Sequence, residues 1–379
     1  MAKSLRFCCC RCDAQFGDEP QAHACPHCSG PLALEREPGT FTLEAIANHP
    51  ASLWRYAEAL PAFDEPISLG ETVTPLVPFE IGGSQLLAKC EFNCPTGSYK
   101  DRGAALLMSH LVQRGITTVV EDSSGNAGAA MAAYAARAGI DITIFCPASA
   151  AAGKLVQIQT YGATLRRIDG PRPRATEALL DHVQATGATY ASHLWHPLFV
   201  EGVKTMAFEI AEQLDWDPPD VVLCPVGAGS ILLGLHLGFD QLRQAGIVAR
   251  VPRLVAVQAA SNAALQRAFA AGAEGVEPGE TKPTLAEGIA LPAPARDREV
   301  LAGLRETGGT VVAVEEEQIL AGVARLGRCG LFVEPTSAVI WNGFEQLRED
   351  GYVAAGETVV AVLSGNGLKA AQLLADRSS

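Results

Sequence analysis

At 379 residues the chain exceeds one typical hydrophobic core, and 48% hydrophobic with 19% charged residues describes a globular protein, not a disordered one. Lysine plus arginine number 29 against 42 acidic residues, a net charge of −13 that argues against nucleic acid and anionic lipid as partners. No apolar run reaches the roughly 18 residues of a membrane helix, and cysteines stand where a signal peptide would be apolar, so no membrane association and a cytoplasmic location are expected.

Six of the 11 cysteines fall between Cys8 and Cys28; Cys90, Cys94, Cys146, Cys224 and Cys329 are scattered through apolar segments as expected buried thiols. Residues 8–34 read CCCRCDAQFGDEPQAHACPHCSGPLAL, with two CxxC pairs, Cys9/Cys12 and Cys25/Cys28, 12 residues apart. In a reducing compartment that is zinc-ribbon spacing, since each turn presents two thiolates and two turns complete a tetrahedral shell. Cys8, Cys10, His23 and His27 compete for the same positions. A closed shell of four thiolates predicts a structural ion and no catalysis.

Beyond a Pro-rich, acidic linker near residues 35–75, the pattern becomes apolar strand, small-residue loop and helix, repeated. A strand over 117–121 leads through Ser/Gly/Asn to an Ala-rich helix ending at Gly139, and the next strand covers 141–146. VVLCPVGAGSILLGLHLGF, RLVAVQAASNAALQRAFAAG and TVVAVLSGNGLKAAQLL repeat the scheme. Such alternation predicts an α/β protein of parallel sheets covered on both faces, with ligands at the strands' C-terminal ends.

The chemistry concentrates in those loops. In EFNCPTGSYKDRG, Gly97 and Ser98 permit a tight turn and Lys100, one of seven lysines, enters a helix over 101–114. A lysine there meets the positive end of the helix dipole, and the neutral amine is the nucleophile. Ser123, Ser124, Gly125, Asn126 and Ala127 open a second helix, where backbone N–H groups converge on an anion; a plain serine cap is the simpler alternative. Gly227, Ala228, Gly229 and Ser230 follow an apolar strand, and glycines let a backbone approach phosphate. Ser364 ends a strand over 358–363 and precedes Gly365-Asn366-Gly367, a position that also suits a helix cap.

The segment PTGSYKDRG resembles the PTGSFKDRG of threonine synthases. SSGNAG (123–128), EGVKTMAFE (201–209), PVGAGS (225–230), AEGIA (286–290), EPTSA (334–338) and SGNG (364–367) follow in that family's order. Residues 70 to about 375 thus resemble threonine synthase-like members of the fold-type II pyridoxal 5′-phosphate (PLP) enzymes, the tryptophan synthase β and threonine dehydratase superfamily. The resemblance implies two parallel-sheet α/β domains: a large PLP-binding one (37–115 and 195–379) and a small one (116–194), behind the ribbon-like segment (1–36), itself similar to one in a subset of threonine synthase-like proteins. It makes Lys100 the catalytic Schiff-base lysine. It sets Asn126 against the cofactor's phenolic oxygen and Gly227, Ala228, Gly229 and Ser230 around its phosphate. Ser364 then faces the pyridine nitrogen, and Ser123, Ser124, Gly125, Asn126 and Ala127 take the α-carboxylate of an amino-acid substrate. Lys154, in a GK pair those enzymes share, binds a substrate anion or stands as an exposed helical lysine. Glu287, Glu334 and Lys204 are assigned to packing and ion pairs. The implied activity is a PLP-dependent carbon–oxygen lyase converting O-phosphohomoserine to threonine, in a homodimer.

Three positions depart from the pattern. Phe199 stands where those enzymes carry an arginine for the substrate phosphate, and His193 and Leu194 replace Asn and Ser. They leave open a threonine/serine dehydratase-type β-eliminase or a β-replacing enzyme such as cysteate synthase. Intact Lys100, Asn126 and Ser364 count against a non-catalytic binding protein.

Overall fold

The computed structural model describes residues 5–18, 23–35, 41–150 and 152–378. The chain forms two compact units, one of residues up to Thr72 with Lys100–Gly202, the other of Val73–Tyr99 with residues from Val203 onward. These cuts differ from those read at 36/37, 115/116 and 194/195: the helix opened by Lys100 groups with the first unit, because it packs along the Ala-rich helix Asn126–Ala138.

In the first unit four strands run parallel in the order Thr164–Ile168, Asp141–Pro147, Thr118–Glu121, Thr189–Tyr190. Alanines at 104, 105, 129, 130, 132 and 133 are buried on these two packed helices, and small side chains let backbones approach. Gly139 ends the second helix in the left-handed conformation, φ 69°, which a glycine adopts without steric cost. At the N-terminus Gln15–Gly17, Arg6–Cys9 and Leu32–Leu34 form a three-stranded antiparallel sheet. Part of the stretch read as a linker belongs to the core. Leu53–Ala59 is a 3-10 helix, Tyr56 is buried, and Leu53 and Leu60 cluster with Leu106. The aromatic and leucine residues among its prolines outweigh its acidic character.

The second unit holds a six-stranded sheet in the order Thr310–Val314, Arg253–Ala259, Val221–Pro225, Val359–Val362, Ser84–Lys89, Leu76–Ile81. Only the pair of the last two is antiparallel, and Pro78 sits on that edge strand, where a missing donor is tolerated. Every residue of Val221–Pro225 is buried, as an interior parallel strand covered on both faces requires. Lys89 Nζ lies 2.6 Å from Glu209 Oε2, both fully buried, and also donates to Thr74 O at 2.8 Å and Gln213 Oε1 at 2.9 Å. Such satisfaction is what a buried charge pair needs.

Candidate active site

In the first unit Lys100 is the first residue of the helix Lys100–Gln113, and its first turn is pressed against Pro197–Val203. A Cβ at Gly103 would lie 2.6 Å from the Phe199 ring, and one at Gly202 would lie 2.0 Å from Arg102 O, so only glycine permits this approach. The Phe199 ring is fully buried with Lys100 Nζ 5.6 Å from its centroid. The position read as a missing phosphate clamp is therefore the aromatic floor beneath the lysine. Phe199→Arg is expected to bury a second cation beside Lys100 and to cost about 3–5 kcal/mol. A urea midpoint equal to that of the parent protein is the result against this.

Strand Thr118–Glu121 feeds residues 122–125 and then the helix Asn126–Ala138, whose N-terminus no side chain caps. Gly125 N–H donates to Ser123 Oγ at 3.3 Å, and a Cβ at Gly128 would lie 1.8 Å from Ser123 O. The glycine thus lets the helix start fold tightly onto the serine. Exposure rises from buried Ser123 through half-buried Ser124 to exposed Gly125, while Asn126 is half-buried and Ala127 buried. The uncapped turn can take an anion. Lys154 belongs to the helix Ala152–Thr160, and its side chain lies outside the described residues.

Two acidic residues that the sequence reading passed over end this strand. Glu121, fully buried, stands with Oε1 2.5 Å from His193 Nδ1; Asp122 accepts from Thr176 Oγ1 at 2.6 Å and Tyr190 OH at 2.8 Å. Burial pushes the Glu121 carboxyl well above the usual range, with Asp122 adding to it, and pushes the His193 imidazole well below its own, with Lys100 adding to that. The available signal was two adjacent carboxylates closing an apolar strand.

In the second unit Val221–Pro225 runs into residues 226–229 and the helix Ser230–Gln244. Gly229 takes φ 85° as its cap residue and no side chain caps this helix. A Cβ at Gly227 would lie 2.7 Å from Ile289 Cα, and one at Gly229 would lie 2.4 Å from Val300 Cγ2. A buried turn that excludes side chains and ends in uncapped N–H groups fits a phosphate. Ser364 is 2% exposed, with Oγ 3.0 Å from Ser337 Oγ, which also accepts from Gly365 N–H at 3.0 Å. Tyr99, the chain neighbour of Lys100, joins these features. Its hydroxyl lies 2.9 Å from Ser230 Oγ, and its N–H donates to Ser364 O at 3.1 Å. Neither Tyr99 nor Ser337 was singled out from the sequence, since a lone tyrosine and a mid-motif serine carry no spacing signal.

At the N-terminus, Cys9 and Cys28 Sγ lie 3.4 Å apart, Cys12 and Cys25 3.7 Å, and Cys28 and Cys12 3.5 Å. Arg11 N–H and His27 N–H point at Cys9 and Cys25 Sγ, at 3.3 and 3.4 Å. Cys8 and Cys10 are outside this group of four, His27 stacks on Phe16, and His23 lies against Tyr190.

Each unit thus carries a parallel sheet with a strand that runs through a glycine-containing loop into an uncapped helix start. The family model described as pyridoxal-phosphate dependent enzyme matches residues 67–365, and the chain belongs to that family. It is threonine synthase-like. It is 33% identical to a threonine synthase of Methanosarcina acetivorans over 97% of this chain and 93% of that one. A threonine synthase of Methanocaldococcus jannaschii is 32% identical, over 95% and 92%. Among solved structures, a fungal L-serine ammonia-lyase from Rhizomucor miehei shares the fold, with a TM-score of 0.69, 21% identity, and coverage of 81% of this chain and 98% of that one.

Proposed function

We propose that this chain is a PLP-dependent carbon–oxygen lyase that works on an α-amino acid by elimination or replacement, with O-phosphohomoserine converted to threonine as the first reading. The observation that carries it is Tyr99. The residue before Lys100 is hydrogen-bonded both to the serine of the glycine-rich loop and to Ser364, the two places where the phosphate and ring nitrogen of PLP would be held.

In this reading Lys100 would attach the cofactor, Gly227, Ala228, Gly229 and Ser230 would hold its phosphate, Asn126 would serve its phenolic oxygen, and Ser364 its ring nitrogen. Bound PLP supplies an electron sink for the pair left at Cα. Residues 123–127 orient the substrate carboxylate at the uncapped helix start, Lys100 takes the Cα proton, and Lys154 serves the substrate anion. A hydroxyl at Ser364 holds no formal charge against the ring, which suits rapid loss or replacement of a leaving group more than amino-group exchange. Phe199 favours a second reading, β-elimination or β-replacement with a smaller leaving group, because the floor it forms offers a phosphate no charged hydrogen bond.

The four-thiolate group supports structural zinc. Ligands about 2.3 Å from a tetrahedral ion stand about 3.8 Å apart, close to the 3.4 to 3.7 Å separations between these sulfurs. A cytoplasmic homodimer completes the proposal; no helix among the described residues is long and apolar enough to cross a membrane.

Borohydride reduction of the yellow holoprotein followed by peptide mapping tests the assignment. The reduced cofactor is expected on the peptide that contains Lys100. A label on Lys154 or Lys204 would overturn it.

A further inference from the structure

Glu121 and His193 meet at the carboxyl ends of two neighbouring parallel strands. Thr118–Glu121 pairs with Thr189–Tyr190 through Val119 with Thr189 and Val120 with Tyr190, and Ala191 N–H extends the ladder to Val120 O at 3.0 Å. The next turn brings His193 Nδ1 to 2.5 Å from Glu121 Oε1. Strand ends of this kind are where parallel sheets bind ligands. The place is occupied on both sides by parts of the proposed site. Glu121 runs directly into residues 122–125, the carboxylate loop. The His193 ring lies edge-on to Phe199 with centroids 6.0 Å apart, and Lys100 Nζ lies 5.6 Å from that same Phe199 centroid.

The pair is built for a proton. Glu121 is fully buried, its Oε2 has no hydrogen-bond partner, and His193 is 5% exposed. With Glu121 protonated, as its burial favours, Oε1–H donates to Nδ1 and the neutral imidazole carries its hydrogen on Nε2. Asp122 lies near enough for the trio to resemble a metal site. Both its oxygens, however, already accept hydrogens from Thr176 and Tyr190.

We propose that His193 is a catalytic residue acting at the substrate Cβ, where its Nε2–H protonates a departing hydroxyl and, in the reverse sense, its Nε2 takes a proton from water that adds, with Glu121 as the positioning residue. The inference rests on the PLP reading and deepens it. In elimination the Cβ–O bond breaks, its electron pair leaves with oxygen, and the Nε2 proton completes a water molecule. The Glu121 proton then settles on Nδ1. Lys100, which has taken the Cα proton, restores the lost one through solvent. Addition of water runs the same steps backward. Formation of threonine needs that addition, and dehydration of threonine needs the elimination.

The test uses holoenzyme and reads product ratios, which do not depend on the fraction of protein that folds. With O-phosphohomoserine, His193→Gln is expected to form about tenfold less threonine per phosphate released than the parent, with 2-oxobutanoate and ammonia making up the difference. Its dehydration of threonine should fall by about 10²- to 10⁴-fold, the span of a general acid or base. Glu121→Gln, whose amide still reaches Nδ1, should shift the ratio the same way by a smaller factor. An unchanged ratio in both variants would overturn the proposal, whatever the loss in rate, as would a parent enzyme that yields neither product. Mn²⁺ held by the parent and lost in Glu121→Gln would also overturn it, in favour of a cation site. Failure of the PLP reading shows separately, as borohydride labelling that misses Lys100 in the parent.

Discussion

Lys100→Ala is expected to purify folded, without the visible band of bound cofactor, and to lose turnover by about 10⁴-fold or more, the upper end for a group that moves a proton in the rate-limiting step. The substitution would remove both proposed roles at once, the covalent hold on PLP and the base at Cα, and losses from groups that act as a unit do not divide between them. Stability should be little affected. Lys100 is half-buried at the helix entrance, whereas the eleven residues that follow it are buried and keep the helix in place. Tyr99 retains its bonds to Ser230 and Ser364, so the backbone at position 100 keeps its course. Steady-state assay of O-phosphohomoserine, threonine, serine and O-phosphoserine, with cofactor content measured alongside, decides the matter. Activity above about one per cent of the parent in the alanine variant would sink the role assigned to Lys100 as base.

The elements that carry this chemistry were legible because each is marked by a strong local signal. The strand at 117–121 is Thr118–Glu121 in the structure, the apolar strand before Gly227 is Val221–Pro225, and the helix at 101–114 is Lys100–Gln113. Apolar runs bounded by glycine leave little freedom there. Phe199 could be read from the sequence only as the place of an absent arginine, because an alignment position does not show which way a ring faces. Its setting depends on Gly103 and Gly202 allowing two helices to touch, a tertiary fact. Glu121 and His193 are 72 residues apart and become neighbours only through pairing of Thr118–Glu121 with Thr189–Tyr190. Tyr99 to Ser230 spans 131 residues in the same manner. Long-range pairs of this kind leave no periodic trace in a single sequence. The stretch near 35–75 failed for another reason: its prolines outweighed Leu53, Tyr56 and Leu60 in a composition-based reading, although those residues bury.

Metal analysis is expected to find one zinc per chain and almost none in the Cys25→Ser/Cys28→Ser protein. Among the described residues the ribbon buries little apolar surface. Its cluster of buried residues is Phe7, Cys9, Cys25 and Leu32, two of them proposed ligands, under three strands of three or four residues. Small folds of this kind draw their stability from the metal, and apparent zinc-binding energies in comparable peptides reach about 10–16 kcal/mol. Without zinc, sulfurs packed at 3.4 to 3.7 Å would repel one another as thiolates. Loss of the ribbon should then be felt by the rest of the first unit. Phe7 lies edge-on to His196 at 6.1 Å, and His23 lies 5.3 Å from Tyr190, whose hydroxyl donates to Asp122 beside the carboxylate loop. The thermal midpoint of the double variant should therefore fall, and its KM for the amino acid should rise. A closed four-thiolate shell would give the metal no open position for substrate, so kcat per PLP-loaded chain should change less than KM. Zinc content equal to that of the parent in the double variant would rule out these four cysteines as the ligands.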